Sequence, residues 1–135
     1  MINEKKFKKF TKHQRSSFAY WFNHWKAFNA VALDLRHWKL KYLLHDIEKP
    51  WLKLILRDYK KVQKWHRRHN AHHLEYPKEK DFEAMVIDWE CSRYTKEAAP
   101  RTAIEEAMNK LENGSMKYED YCKFISTAVR MGLNN

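Results

Sequence analysis

Ser17–Leu35 reads SFAYWFNHWKAFNAVALDL, and the spacing of its apolar residues decides the fold class. Tyr20, His24, Phe28 or Ala27, Val31 and Leu35 recur every three or four residues, and Ser16 or Ser17 can cap the start, so the stretch predicts an amphipathic helix. His24 lies on the inward face. Working outward, KLKYLLHDIEKP (39–50) is expected to resume a helix after an interruption near His37 and to stop at Pro50, because the residue before proline disfavours helical geometry. Pro50 suits the first turn of the next helix, WLKLILRDYKKVQKWHRRH (51–69), whose expected core stripe is Leu52, Ile55, Leu56, Tyr59 and Val62. LEYPKEKD (74–81) reads as a loop. Asp81 is then a plausible cap for DFEAMVIDWECSRY (81–94), where Phe82, Met85, Val86 and Trp89 form the stripe and Asp88 sits on its shoulder. Pro100 is expected to open a helix to about Leu111, ended by Asn113 and Gly114. A last amphipathic segment runs from about Met116 to Arg130 through Tyr121, Phe124, Ile125 and Val129.

The composition agrees with this reading. A chain of 135 residues that is 44% hydrophobic and 15% aromatic has apolar surface for one core and is not a disordered polymer. Only two Gly and three Pro are present, too few for a turn-rich β architecture. The expected fold is all-α, a single helical domain of about five to seven helices over 16–135, behind a basic arm at 1–15 that carries Lys5, Lys6, Lys8, Lys9, Lys12 and Arg15 beside Phe7 and Phe10. No apolar run approaches the roughly 20 residues that cross a bilayer. MINEKKFKKF lacks the pattern of a secretory signal, so the expected location is the cytoplasm, with Cys91 and Cys122 as reduced thiols. A net charge of +10 attracts phosphate-bearing partners, nucleic acid among them.

Chemistry concentrates in WHRRHNAHHLEY (65–76), which holds four of the eight histidines. If that window is helical, His66, His69 and His73 share one face and can converge on one ion. With Lys64, Arg67 and Arg68 interleaved, it reads equally as a basic surface for phosphate. Upstream lies the pair His45–Asp46, followed by Lys49; downstream lies Asp88. Carboxylates supply hard oxygen ligands beside imidazole nitrogen. The six tryptophans read as core or helix-contact residues rather than base-stacking platforms. Glu90 reads either as a carboxylate orienting a ligand histidine or as a solvated helix residue, and Cys91 as a buried thiol rather than a ligand.

The ordered series of His24, His45–Asp46, the histidine window and Asp88 resembles the HD superfamily of metal-dependent phosphohydrolases. HDIEKP (45–50) is similar to the HDIGK form of several HD phosphodiesterases, with Glu48 where Gly is usual. LLHDIEK, WHRRHNAHHLEY and MVIDW together resemble a small family of bacterial and phage HD-like proteins. The resemblance spans about His24 to Asp88. It implies an HD-like helical fold and one or two divalent transition ions, Mn, Fe, Co or Zn. His24, His45, Asp46 and Asp88 match the first ion's ligands, with His37 the weaker substitute for His24. His69 and His73, or His66 in place of one, match the ligands of a second. It also implies that Asp46 and Lys49 are catalytic and that Lys49 approaches the substrate phosphate. Beside the resemblance, the chemistry of phosphoryl transfer calls for further positive charge, and one or more of Arg67, Arg68, Arg93 and Arg101 is expected to neutralise the charge that develops.

The expected function is phosphomonoester or phosphodiester hydrolysis of a nucleotide or nucleotide-like phosphate, since a divalent ion lowers the pKa of its water from 15.7 to about 7. Two other readings stand beside it. One is an HD-like di-iron oxygenase. The other is a non-catalytic basic module for nucleic acid or a protein, with a structural metal site.

Overall fold

The stripe read in Phe18–Leu35 is the buried face of α1 (Phe18–Asp34): Tyr20, His24, Ala27, Phe28, Val31 and Ala32 all turn inward. The computed structural model describes residues 18–95 and 101–133, so the basic arm and Pro100 lie outside the described residues. α1 ends where Arg36 takes a left-handed φ of 60°, and the chain folds back with His37 N–H donating to the Ala32 carbonyl at 3.0 Å. A 3₁₀ turn (Leu40–Leu44) follows. Beyond it come α2 (Glu48–Leu56), α3 (Tyr59–His69), α4 (Phe82–Thr95), α5 (Ala103–Glu112) and α6 (Tyr118–Arg130). The fold is all-α, with six α-helices and no strand among the described residues. None of these helices is long and apolar enough to cross a membrane.

α1 and α4 are the central pair, and α5 and α6 close over the other side of α4. α4 is accordingly buried nearly all round, from Ala84 through Asp88 and again at Glu90, Cys91 and Thr95. Phe28, Val31, Met85, Val86, Ile87 and Phe124 form the middle of the core. Val129, expected in the last stripe, is instead 56% exposed.

Two expectations for the middle of the chain are corrected. The helix expected to resume over 39–50 is only the short 3₁₀ turn, after which Asp46 adopts a left-handed φ of 55° before α2 starts. The single helix expected over 51–69 is two, because Arg57 is left-handed at φ 54° and Asp58 caps α3 by accepting from the Lys60 N–H at 3.0 Å. Of the stripe Leu52, Ile55, Leu56, Tyr59 and Val62, only Val62 is buried; α2 buries no residue at all.

Asp81 caps α4 as expected, accepting from the Ala84 N–H at 3.1 Å, and pairs with Lys41 at 2.5 Å. Asp81→Ala should cost about 1 kcal/mol, nearly all from the cap, because the lysine is half exposed. Burial pushes the Asp81 carboxyl up, but Lys41 and the Ala84 amide outweigh it and hold the group below its ordinary 3.8. A carboxyl depressed in the folded state stabilises above its ordinary value and loses that contribution as pH falls through the folded value. Urea unfolding of the variant should therefore show a lower midpoint at neutral pH, with the difference from wild type narrowing below pH about 4.

Candidate metal centre

His45 and Asp46 occupy the tight connection between the 3₁₀ turn and α2, which faces the middle of α1. Its shape is fixed from α1: the Trp21 indole N–H donates to the Asp46 carbonyl at 2.8 Å, and that of Trp25 to the Leu43 carbonyl at 3.0 Å. The ring of Phe28 stacks on His45 with centroids 3.6 Å apart. His24 from α1 and Asp88 from α4 meet the pair. His24 Nε2 is 2.9 Å from Asp88 Oδ1, and His45 Nε2 is 3.2 Å from the same oxygen and 3.4 Å from Asp46 Oδ2. All four residues are buried.

A second group shares Asp46. Its other oxygen, Oδ1, lies 2.8 Å from His66 Nε2 and 3.1 Å from His72 Nε2, and His73 completes the set. His66 comes from the end of α3, while His72 and His73 come from the turn after it. Asp46 thus stands between two imidazole groups, one oxygen toward each. The expectation that His66, His69 and His73 share a helical face is corrected, because α3 ends at His69 and the chain turns at Asn70. His69 is exposed, stacked on Trp65 with its Nδ1 2.7 Å from the Trp65 carbonyl oxygen. His72, which carried no role in the sequence reading, takes the inward place. His37 lies beyond α1 and belongs to neither group.

Glu48, the departure from glycine, now has a role. Its Oε1 meets His66 Nδ1 directly and also accepts from the Asn70 amide at 3.0 Å. A carboxylate on one imidazole nitrogen fixes the tautomer and aims the other nitrogen inward, the usual outer support of a metal-binding histidine. Glu90 supports no histidine and is not solvated: it is buried and accepts from Arg93 at 2.9 Å and from the Ala103 N–H at 2.8 Å, tying α4 to the start of α5. Cys91 is a buried thiol 3.7 Å from His24 Nδ1, and Cys122 is exposed; neither forms a disulfide.

The charge states suit a cation. Burial pushes His45 down to about 4 and His73 down to about 2, so both imidazoles are neutral with lone pairs available. Burial acts against the charge on Asp46 and Asp88, yet both carboxyls stay well below the ordinary range. His45, Lys49 and His66 hold Asp46 down, and His24 and His45 hold Asp88 down. His66 differs: burial pushes it down, but Asp46 and Glu48 outweigh that and hold it above its ordinary 6.5. Two buried carboxylates beside neutral His45 and His73 give a pocket of mixed nitrogen and oxygen donors, the set that borderline divalent ions prefer. His73 Nε2 is buried and makes no hydrogen bond among the described residues, an arrangement that costs stability unless something else takes the lone pair. The residues present therefore fit one or two divalent ions.

A cleft of about 330 Å³ opens beside the cluster and is lined by Lys49, Arg67, Arg93 and Arg101 among others. Arg68 is exposed and is not part of that lining. Most tryptophans make helix contacts, as expected: Trp38 donates to Asn29 Oδ1 at 2.9 Å, and Trp89 packs on Phe124 at 4.5 Å. Trp51 is the departure, 67% exposed on α2. The two histidine assignments separate experimentally. His72→Ala should weaken divalent-ion binding by about 10-fold or more, whereas His69→Ala should leave it unchanged, as read by titration calorimetry on metal-stripped protein. No protein-family model, curated protein or solved structure matches the chain.

Proposed function

We propose that this chain is a metal-dependent phosphohydrolase of the HD type, acting on a phosphate ester, with a nucleotide or nucleotide-like phosphate as the first class to test. One observation carries the reading: Asp46 stands between two buried imidazole groups, with Lys49 Nζ 3.2 Å from its Oδ2 and the arginine-lined cleft alongside. A divalent ion, when bound, supplies Lewis acidity and acidifies water toward neutral pH. The protein's part is to orient and to balance charge. Asp46 and Asp88 present oxygen donors, while His24, His45, His66, His72 and His73 present nitrogen. Burial pushes Lys49 down, but Asp46, Tyr59 and Asp88 together outweigh it and keep the ammonium charged, and its side chain is 19% exposed at the cleft, within reach of an entering phosphate. Arg67, Arg93 and Arg101 add the positive charge that neutralises a phosphoryl group as it reacts.

Elemental analysis of protein purified without a chelating tag tests the site, and a screen of nucleotides and model phosphodiesters with Mn, Co, Fe and Zn tests the reaction. Bound metal with phosphate release is the expected result. Metal-free protein that takes up no divalent ion would overturn the reading.

A further inference from the structure

The donor cluster borders two clefts of opposite character. The arginine-lined one holds about 330 Å³; the other holds about 700 Å³ and is walled by Phe18, Trp21, Pro50, Trp51 and Leu54. Tyr20, His24, Asp46, Lys49 and Tyr59 line both, so the two spaces meet at Asp46. The apolar cleft presents aromatic faces and hydrocarbon. Of its two indole N–H groups, that of Trp21 is already spent on the Asp46 carbonyl at 2.8 Å, and Trp51 is 67% exposed. Phe18, Pro50 and Leu54 offer no hydrogen bond to the edge of a nucleobase, whose donors and acceptors would have to turn to the rim of the cleft or to water. A hydrocarbon chain loses nothing by the same transfer and gains from burial. Besides Lys49, the cations at this cleft are Lys53 and Arg57, which belong to α2 and to the residue that follows it.

We infer that the apolar cleft is the subsite for the hydrocarbon tail of a single-chain phosphate ester, whose phosphate lies at Asp46 and Lys49 and whose negative charge faces Arg67, Arg93 and Arg101. The inference rests on the hydrolase reading and names its substrate class. In the reaction the oxygen of water bonds to phosphorus and the bond from phosphorus to the ester oxygen breaks. One water proton ends on the departing alcohol and the other on the phosphate, so an alkyl phosphate dianion and water give the alcohol and hydrogen phosphate. Each methylene buried in the cleft should raise kcat/KM about fourfold until the space is filled.

The test uses the full chain with Mn and two probe series below their micellar concentrations. Butyl, octyl and dodecyl phosphate report turnover beside adenosine monophosphate. The matching alkylphosphonates, whose carbon–phosphorus bond resists hydrolysis, report binding by tryptophan fluorescence. Turnover and phosphonate affinity should both climb with chain length, and Trp51→Ser and Leu54→Ser, at positions 67% and 70% exposed, should flatten the climb. Phosphonate affinity that climbs while no ester is cleaved supports the tail subsite and overturns the hydrolase reading. Esters cleaved at a rate independent of length, or adenosine monophosphate turned over faster than dodecyl phosphate, overturns the tail subsite and leaves the hydrolase reading standing.

Discussion

Asp46→Asn should strip the protein of bound divalent ion and lower phosphate-ester turnover by on the order of 10³-fold, the equivalent of about 4 kcal/mol of lost transition-state stabilisation. Asparagine is the informative substitution because it is among the few side chains that tolerate the left-handed backbone, and Asp46 sits at φ 55°. The Trp21 bond to the Asp46 carbonyl is a backbone contact and survives the change. What disappears is a charge at the junction of two imidazole groups, with Oδ1 3.1 Å from His72 and Oδ2 3.4 Å from His45. Lys49, 3.2 Å from Oδ2, then lacks its nearest carboxylate, so some thermal stability is lost as well. Circular dichroism establishes that the variant is folded, and elemental analysis with a phosphate-release assay reads the rest. Metal retained at the wild-type ratio with full turnover would end the phosphohydrolase proposal.

Phe28→Ala should be the most damaging change to the fold, at about 3–5 kcal/mol. Its ring is fully buried, packs edge-on against Tyr42 at 5.1 Å and stacks on His45 at 3.6 Å. Truncation opens a cavity directly beneath a metal-binding candidate. Because domains of this size are stable by only about 5–15 kcal/mol, much of the total goes with one side chain. A drop in the denaturant midpoint with an unchanged slope identifies lost packing rather than an altered unfolded state. Divalent-ion affinity should fall in the same variant, and Phe28→Leu should recover most of both losses because it refills most of the volume.

Local spacing locates α4, α5 and α6, although α4 is buried nearly all round and only Phe124 of the expected α6 stripe is fully buried. It reveals α1 more fully, because that helix's own pattern coincides with the face it buries. His24 is legible for that reason. Gly114 is legible too, because its left-handed φ of 81° is what glycine after a helix ordinarily supplies. The middle of the chain misleads on two counts. Arg57 takes the same left-handed conformation without the glycine that would announce it, and the apolar period running through Leu52, Ile55 and Leu56 looks like core although no core faces it. Asp58 was the readable sign of a second start.

The histidine window misled for a related reason. A helical reading of the window places His69 inside and leaves His72 out, whereas α3 stops at His69, where the expected helix ends, and the turn beyond it reverses that choice. Asn70, whose side chain donates to Glu48 and to the His66 carbonyl at 2.8 Å, marks the stop, but those partners are distant or local only once the chain has folded. The order of His24, His45, Asp46 and Asp88 in the chain and the family resemblance point to these as metal-ligand candidates, and the structure brings one ligand atom from each within 4.8 Å of the others.

α2 buries none of its residues, and its first turn carries its ties to the cluster, Glu48 to His66 and Asn70 and Lys49 to Asp46. A helix that buries none of its residues opens at a free-energy cost well below that of unfolding the whole molecule. Its amides should thus take up deuterium long before those of α1 or α4, and occupancy of the neighbouring site should slow that uptake in α2 first, making this segment a residue-resolved gauge of whether anything has bound.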